Sequence, residues 1–187
     1  MRNASPVSTR TKMVGAAVAA VVVALATALP ARAAPPDFSG GAAPAIGQFN
    51  PVTLNGTEQL TSASIAPFVI TDDSGALAGW HVTLLVPTFQ NGTGPDCSVG
   101  ATAAIPGADV SMAAPVVAAA DAQTDMNGVT TSGFTDFTTT RTIITAAVGD
   151  GAGTYDVSPA LLKLIVPANA IAGAYCTEAT IEITSGP

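Results

Sequence analysis

Apolar and polar residues alternate with a period of two over two long stretches of this chain. In the first, Trp80, Val82, Leu84 and Val86 interleave with His81, Thr83 and Leu85, which places the first set on one face of a strand. In the second, Tyr175, Thr177, Ala179, Ile181 and Ile183 interleave with Cys176, Glu178, Thr180, Glu182 and Thr184. One face is mainly apolar there and the other carries the acids. Shorter runs at Glu58 to Ala63, Ile65 to Thr71, Arg141 to Val148 and Leu161 to Val166 also read as strands.

Turn chemistry separates the runs. Asn55-Gly56 tolerates positive φ at both central positions, so it predicts a hairpin between Val52–Leu54 and the following strand. Asp72-Asp73-Ser74-Gly75 and Gly149-Asp150-Gly151-Ala152-Gly153 read as turns, and Pro87 and Pro167 end strands. The middle is less legible. Val99 to Ile105 reads as a strand. Val110 to Ala120 is apolar but interrupted by Pro115, and leaves strand and helical turn both open; the Thr-rich 130–140 leaves strand and loop open. Thr, Val, Gly and Pro are abundant and disfavour helices. The expectation is an all-β fold: a single-domain antiparallel β-sandwich or barrel-like sheet over residues 49–187.

The amino terminus has a different pattern. Met1 to Lys12 carries Arg2, Arg10 and Lys12 and no acid, and Met13 to Leu29 is uncharged and rich in Ala and Val. Pro30 and the small-residue exit Ala31-Arg32-Ala33 complete the features of a secretory signal peptide over residues 1–33. The absence of an Arg-Arg pair favours the general secretory route. The alternative is an uncleaved anchor, for which the apolar run is short. Residues 34–48, rich in Pro, Gly and Ala, read as a flexible leader. The expected location is therefore extracellular or on the cell wall.

Charge follows from the cleavage. Four of six basic residues lie before Ala34, so Arg141 and Lys163 remain against thirteen acids, a formal charge of −11. Such a chain repels nucleic acid and anionic lipid, so neither is expected as a partner after signal removal. Cys97 and Cys176 are the two cysteines. Outside the cell two cysteines allow one pairing, and a Cys97–Cys176 disulfide is expected, crossing outside the core; two buried thiols are the alternative.

Candidates for chemistry are few. His81 is the single histidine and sits mid-strand opposite the Trp80 face, with no Gly-x-Ser-x-Gly elbow in the chain. Glu178 and Glu182 share a strand face at about 13 Å, too far apart to act together in glycoside hydrolysis, which leaves open an Asp from another strand as the second carboxylate. Asp72, Asp73, Asp121, Asp125 and Asp150 lie near turns without forming a complete calcium loop. No catalytic residue, metal ligand or cofactor is assigned. The expectation is a non-catalytic protein.

Three segments together resemble the first half of the WxL domain: Asn55-Gly56 to Leu60, Phe68-Val69-Ile70-Thr71-Asp72, and Gly79-Trp80-His81-Val82-Thr83-Leu84. Leu162 to Ala168, Ala172-Gly173-Ala174-Tyr175 and the final strand resemble that family's C-terminal block. The order is kept over nearly the whole exported chain. Val82 stands where Leu is usual, Ile181-Glu182-Ile183 replaces the second Trp-x-Leu, and the cysteines are foreign to the pattern. The resemblance implies a surface protein held non-covalently on Gram-positive peptidoglycan, working with membrane-anchored partner proteins. It marks Trp80 as the matching binding residue; a Trp on an apolar strand face is otherwise a core residue. A second reading is an assembly subunit that pairs through an exposed strand edge.

Overall fold

The computed structural model describes residues 34–95 and 97–186. The expected signal peptide, residues 1–33, lies outside the described residues. In chain order the strands are β1 (Asp37–Phe38), β2 (Gln59–Ile65), β3 (Phe68–Asp72), β4 (Trp80–Leu85), β5 (Phe89–Gln90), β6 (Ala104–Ile105), β7 (Val110–Met112), β8 (Val117–Ala119), β9 (Val129–Thr131), β10 (Arg141–Ala146), β11 (Gly153–Val157), β12 (Ala160–Val166) and β13 (Thr180–Ser185). A single 3₁₀ turn, Gly107–Asp109, precedes β7, and there is no α-helix among the described residues. Every strand pairing among the described residues is antiparallel. The chain is all-β, with several sheets packed as in a β-sandwich.

One layer is the sheet β13-β4-β10-β9. Opposite it run two sheets with matching strand order, β3-β11-β8 (with β1 outside β3) and β2-β12-β7. They are consecutive halves of the same three chain paths: β2 runs into β3, β11 into β12, and β7 into β8. Each path breaks at a proline, namely Pro67, Pro159 and Pro115. Proline has no N–H to give to a ladder, so pairing lapses there.

The buried set also changes parity at two of these breaks. Along β2 the buried residues are Thr61, Ala63 and Ile65; along β3 they are Ile70 and Asp72. Along β11 they are Tyr155 and Val157; along β12, Ala160, Leu162, Leu164 and Val166. A one-residue slip turns a strand over. Two slips side by side, flanked by the break at Pro115, form a corner, across which the β2–β3 and β11–β12 paths keep their buried faces inward.

The core joins both layers. Val82 and Leu84 of β4 and Ile144 of β10 cluster with Ile70, Tyr155, Leu162 and Val110 from the facing layer. A register shift between Thr142 and Ile144 in the β4–β10 ladder lets neighbouring Ile143 and Ile144 both be buried, as a bulge allows.

Several expectations change. Asn55-Gly56 does form a turn, with the Asn55 Oδ1 accepting from the Thr57 N–H at 3.1 Å, but Val52–Leu54 is not a strand. β2 pairs instead with β12, whose long apolar face offers more burial than three residues before the turn. Residues 34–48, expected as a flexible leader, contribute to the fold: β1 pairs with β3, and Phe38 is buried against Phe68. The apolar Phe38 and Ile46 supply contacts that the Pro/Gly/Ala composition masked. The last strand starts at Thr180 rather than Tyr175, because Cys176 is drawn into a bridge with Gln90.

Candidate functional site

Trp80 opens β4 and has no exposed surface. Its indole N–H donates to the Gly151 carbonyl at 2.8 Å, and its ring meets Tyr155 edge-on at 5.3 Å between centroids. Two glycines make this seat. Gly79 has φ +75°, and a Cβ there would lie 2.6 Å from the Ala146 carbonyl oxygen. Gly151 has φ +84°, and a Cβ there would meet the Trp80 Nε1 at 2.9 Å. Only glycine combines that φ with that approach. The Tyr155 hydroxyl lies 2.7 Å from the Asp125 carbonyl and 3.0 Å from that of Ala152. Burial, with Asp125, Asp72 and Asp150 nearby, pushes this phenol up to about 12. Trp80 is thus one of the links between the layers and offers no surface to a ligand. Any effect of Trp80 on binding passes through the sheet it holds.

The disulfide joins Cys97 and Cys176 with their Cα atoms 5.6 Å apart. Both residues are half-buried and neither belongs to the core cluster. Cys176 exchanges two backbone hydrogen bonds with Gln90, at 2.9 and 3.0 Å. The Gly92 N–H donates to the Cys97 carbonyl at 2.8 Å. The bridge therefore ties the loop after β5 to the approach to β13.

The other sequence candidates lie apart. His81 Nδ1 donates to the Gly186 carbonyl at 2.8 Å, since a carbonyl can only accept. Glu178 precedes β13 while Glu182 lies within it, so they do not share one strand. The Asp72 carboxylate caps its own turn, accepting from the Ser74 N–H at 3.0 Å, and that of Asp121 accepts from the Gln123 and Thr124 N–H groups at 3.0 and 2.9 Å. Hydrogen bonding with Thr124, chiefly its hydroxyl, holds Asp121 below the usual carboxylate range. No group of three or more His, Cys, Asp or Glu suited to a metal ion occurs among the described residues.

An open depression of about 540 Å³, marked by no motif in the sequence, lies beside β7 and β12. Its walls include Ser111, Met112, Phe134, Thr135, Leu161 and Lys163. Phe134 is brought there by paired backbone bonds with Met112, at 2.8 and 2.9 Å. Gly133 permits the approach, since a Cβ on it would lie 2.7 Å from the Met112 carbonyl oxygen. The Arg141 guanidinium sits 5.6 Å from the Phe134 ring centroid and pairs with Asp136 at 3.1 Å. Hydrogen bonds from Thr138 and the Arg141 charge keep the Asp136 carboxyl below its ordinary value.

The two cations thus differ. Arg141 is held by Asp136, the one ion pair among the described residues. Lys163 is exposed and aligned between Ser62 and Ser111 across the sheet. On the same face, Leu60 and Ile165 stand opposite one another, 65% and 42% exposed, with Leu161 at 49%. The groove and its margin therefore offer apolar surface, two hydroxyls and a cation in a chain with a large excess of acid.

The fold and site define a disulfide-closed all-β domain with an amphipathic groove on its outer face. Comparison of the chain with protein-family models, curated proteins and solved structures finds no match.

Proposed function

We propose that the protein is an exported, non-catalytic surface domain that associates with cell-wall peptidoglycan through the groove beside β7 and β12. The observation that carries the reading is Lys163 beside Phe134 and Leu161 on an exposed face. Peptidoglycan presents carboxylates on its peptide stems and apolar faces on its sugars. An ammonium, two hydroxyls and an aromatic edge suit both. The signal-like amino terminus and the disulfide favour an oxidising, extracellular setting. The WxL-like order of segments points the same way. Membrane-anchored partner proteins are compatible with it.

The test is cosedimentation of the purified protein with isolated peptidoglycan. Lys163→Glu should lower retention by about fivefold, the upper range for losing one exposed charge pair. Peptidoglycan with amidated carboxylates should retain the native protein as poorly. Equal retention of the native and Lys163→Glu proteins would remove the groove from the reading. Failure of the native protein to sediment would remove peptidoglycan.

A further inference from the structure

The outer edge of β8 has open backbone groups. The Ala120 N–H donates to the Thr154 carbonyl and the Ser158 N–H to the Val116 carbonyl, both at 2.9 Å. Bonded pairs fall at every second residue of an antiparallel ladder, so Ala118 also faces β11. The N–H and C=O of Val117 and Ala119 then point away from the sheet, and none of these four groups has a partner among the described residues. Ala119 shares its inward face with Val117 yet is exposed, as an open flank requires.

The β2 and β7 edges of this layer are covered. The Gly47 and Asn50 N–H groups donate to Ser64 and Ser62 along β2, and Phe134 pairs with Met112 along β7. Natural edges are commonly guarded by Lys, Pro or a bulge. β8 is short and follows Pro115, but Val116-Val117-Ala118-Ala119-Ala120 itself carries no Lys, Pro or bulge, and Val116 is 66% exposed.

We propose that β8 receives an extended segment of a partner protein, added as a further strand, with a basic side chain opposite Ala118. Charge decides the occupant. Ala118 stands directly opposite Asp156 of β11, and both side chains face outward and are exposed. A strand added beyond β8 lies about 9.5 Å from β11 at the usual strand spacing. Nothing larger than the Ala118 methyl intervenes, so a Lys or Arg opposite Ala118 reaches Asp156. Asp121 at the end of the same segment adds a second negative charge. A second copy of this chain would set its own Ala118 there and bring the Asp156 and Asp121 charges of two acidic chains together. The inference is independent of the groove, which lies on another part of the fold.

The test uses backbone amide exchange and chemical shifts of the purified protein with two capped pentapeptides, Thr-Val-Lys-Val-Thr and Thr-Val-Glu-Val-Thr. The lysine peptide should protect the Val117 and Ala119 amides and bind about fivefold more tightly than the glutamate peptide, as one exposed ion pair permits. Asp156→Asn should remove most of that preference while leaving binding. Ala119→Pro, which deletes one outward N–H at an edge where proline is tolerated, should abolish binding. Three results overturn the proposal. In one, neither amide gains protection from the lysine peptide. In another, the two peptides bind equally to the native protein. In the third, the protein alone is a dimer with those amides already protected, which would make the occupant a second copy. Should Ala119→Pro not fold, the Asp156→Asn comparison still decides.

Discussion

Replacing Trp80 by alanine and by phenylalanine separates a packing role from a contact role. Trp80 is wholly buried, donates to Gly151 and packs on Tyr155. Alanine removes the ring and leaves the Gly151 carbonyl without its donor. Truncation of a buried aromatic costs about 3–5 kcal/mol. In a domain of this size each kcal/mol lowers Tm by about 2–4 °C, so a fall of roughly 6–20 °C is expected. Phenylalanine keeps most of the contact with Tyr155 and loses the hydrogen bond, which costs about 1–3 kcal/mol for a buried acceptor left unpaired. Urea and thermal unfolding, followed by far-ultraviolet circular dichroism, measure both. Because Trp80 is the single tryptophan, its fluorescence in the native protein reports this site alone and should resist quenching by acrylamide. Trp80→Phe should fold and should bind peptidoglycan like the native protein. Free quenching of native Trp80, or loss of less than about 1 kcal/mol in Trp80→Ala, would refute the burial argument. Loss of wall binding in a well-folded Trp80→Phe would refute the view that Trp80 acts only through the core.

Other outcomes follow from the same structure. The disulfide spans a sequence separation of 79 residues, so its reduction should destabilise by at most about 4.5 kcal/mol on the chain-entropy model, read from urea unfolding with and without reductant. Gly79→Ala combines positive φ with a Cβ 2.6 Å from a carbonyl oxygen, and should lower the urea midpoint by more than an exposed Gly56→Ala, where φ is positive but nothing lies near. Burial, with Asp125, Asp72 and Asp150 nearby, pushes the Tyr155 phenol up to about 12, above the ordinary tyrosine value. The unfolded chain therefore loses this proton first. The stabilisation is complete below about pH 10 and is lost as pH rises through about 12. Tyr155→Phe should lack this alkaline decline, measured by urea unfolding across that window.

The strand pattern was readable where one face is buried and the other wet. Trp80 to Val86 alternates cleanly, and Trp80, Val82, Leu84 and Val86 are all buried as expected. The disulfide was readable because two cysteines leave one pairing. Leu161 to Val166 was readable as a strand but not as to its faces, since Leu161 and Ile165 are apolar yet exposed. Strand β11 was missed because Gly153 looked like the end of a glycine turn, although Tyr155 and Val157 alternate with Thr154 and Asp156. The proline corner was hidden for another reason. Pro67, Pro115 and Pro159 are far apart in sequence and meet only once β2, β7 and β12 pair. The groove was hidden likewise, because Phe134 joins Lys163 only through its backbone pairing with Met112.

The central claim is that the groove beside β7 and β12 holds peptidoglycan. Titration of the isotope-labelled protein with enzymatically solubilised peptidoglycan fragments, followed by backbone amide shifts, tests it most directly. Saturable shifts are expected, centred on Ser111, Phe134, Thr135, Leu161 and Lys163, with apparent affinity reduced by about fivefold in Lys163→Glu. Shifts centred elsewhere, or none at saturating fragment, would contradict it.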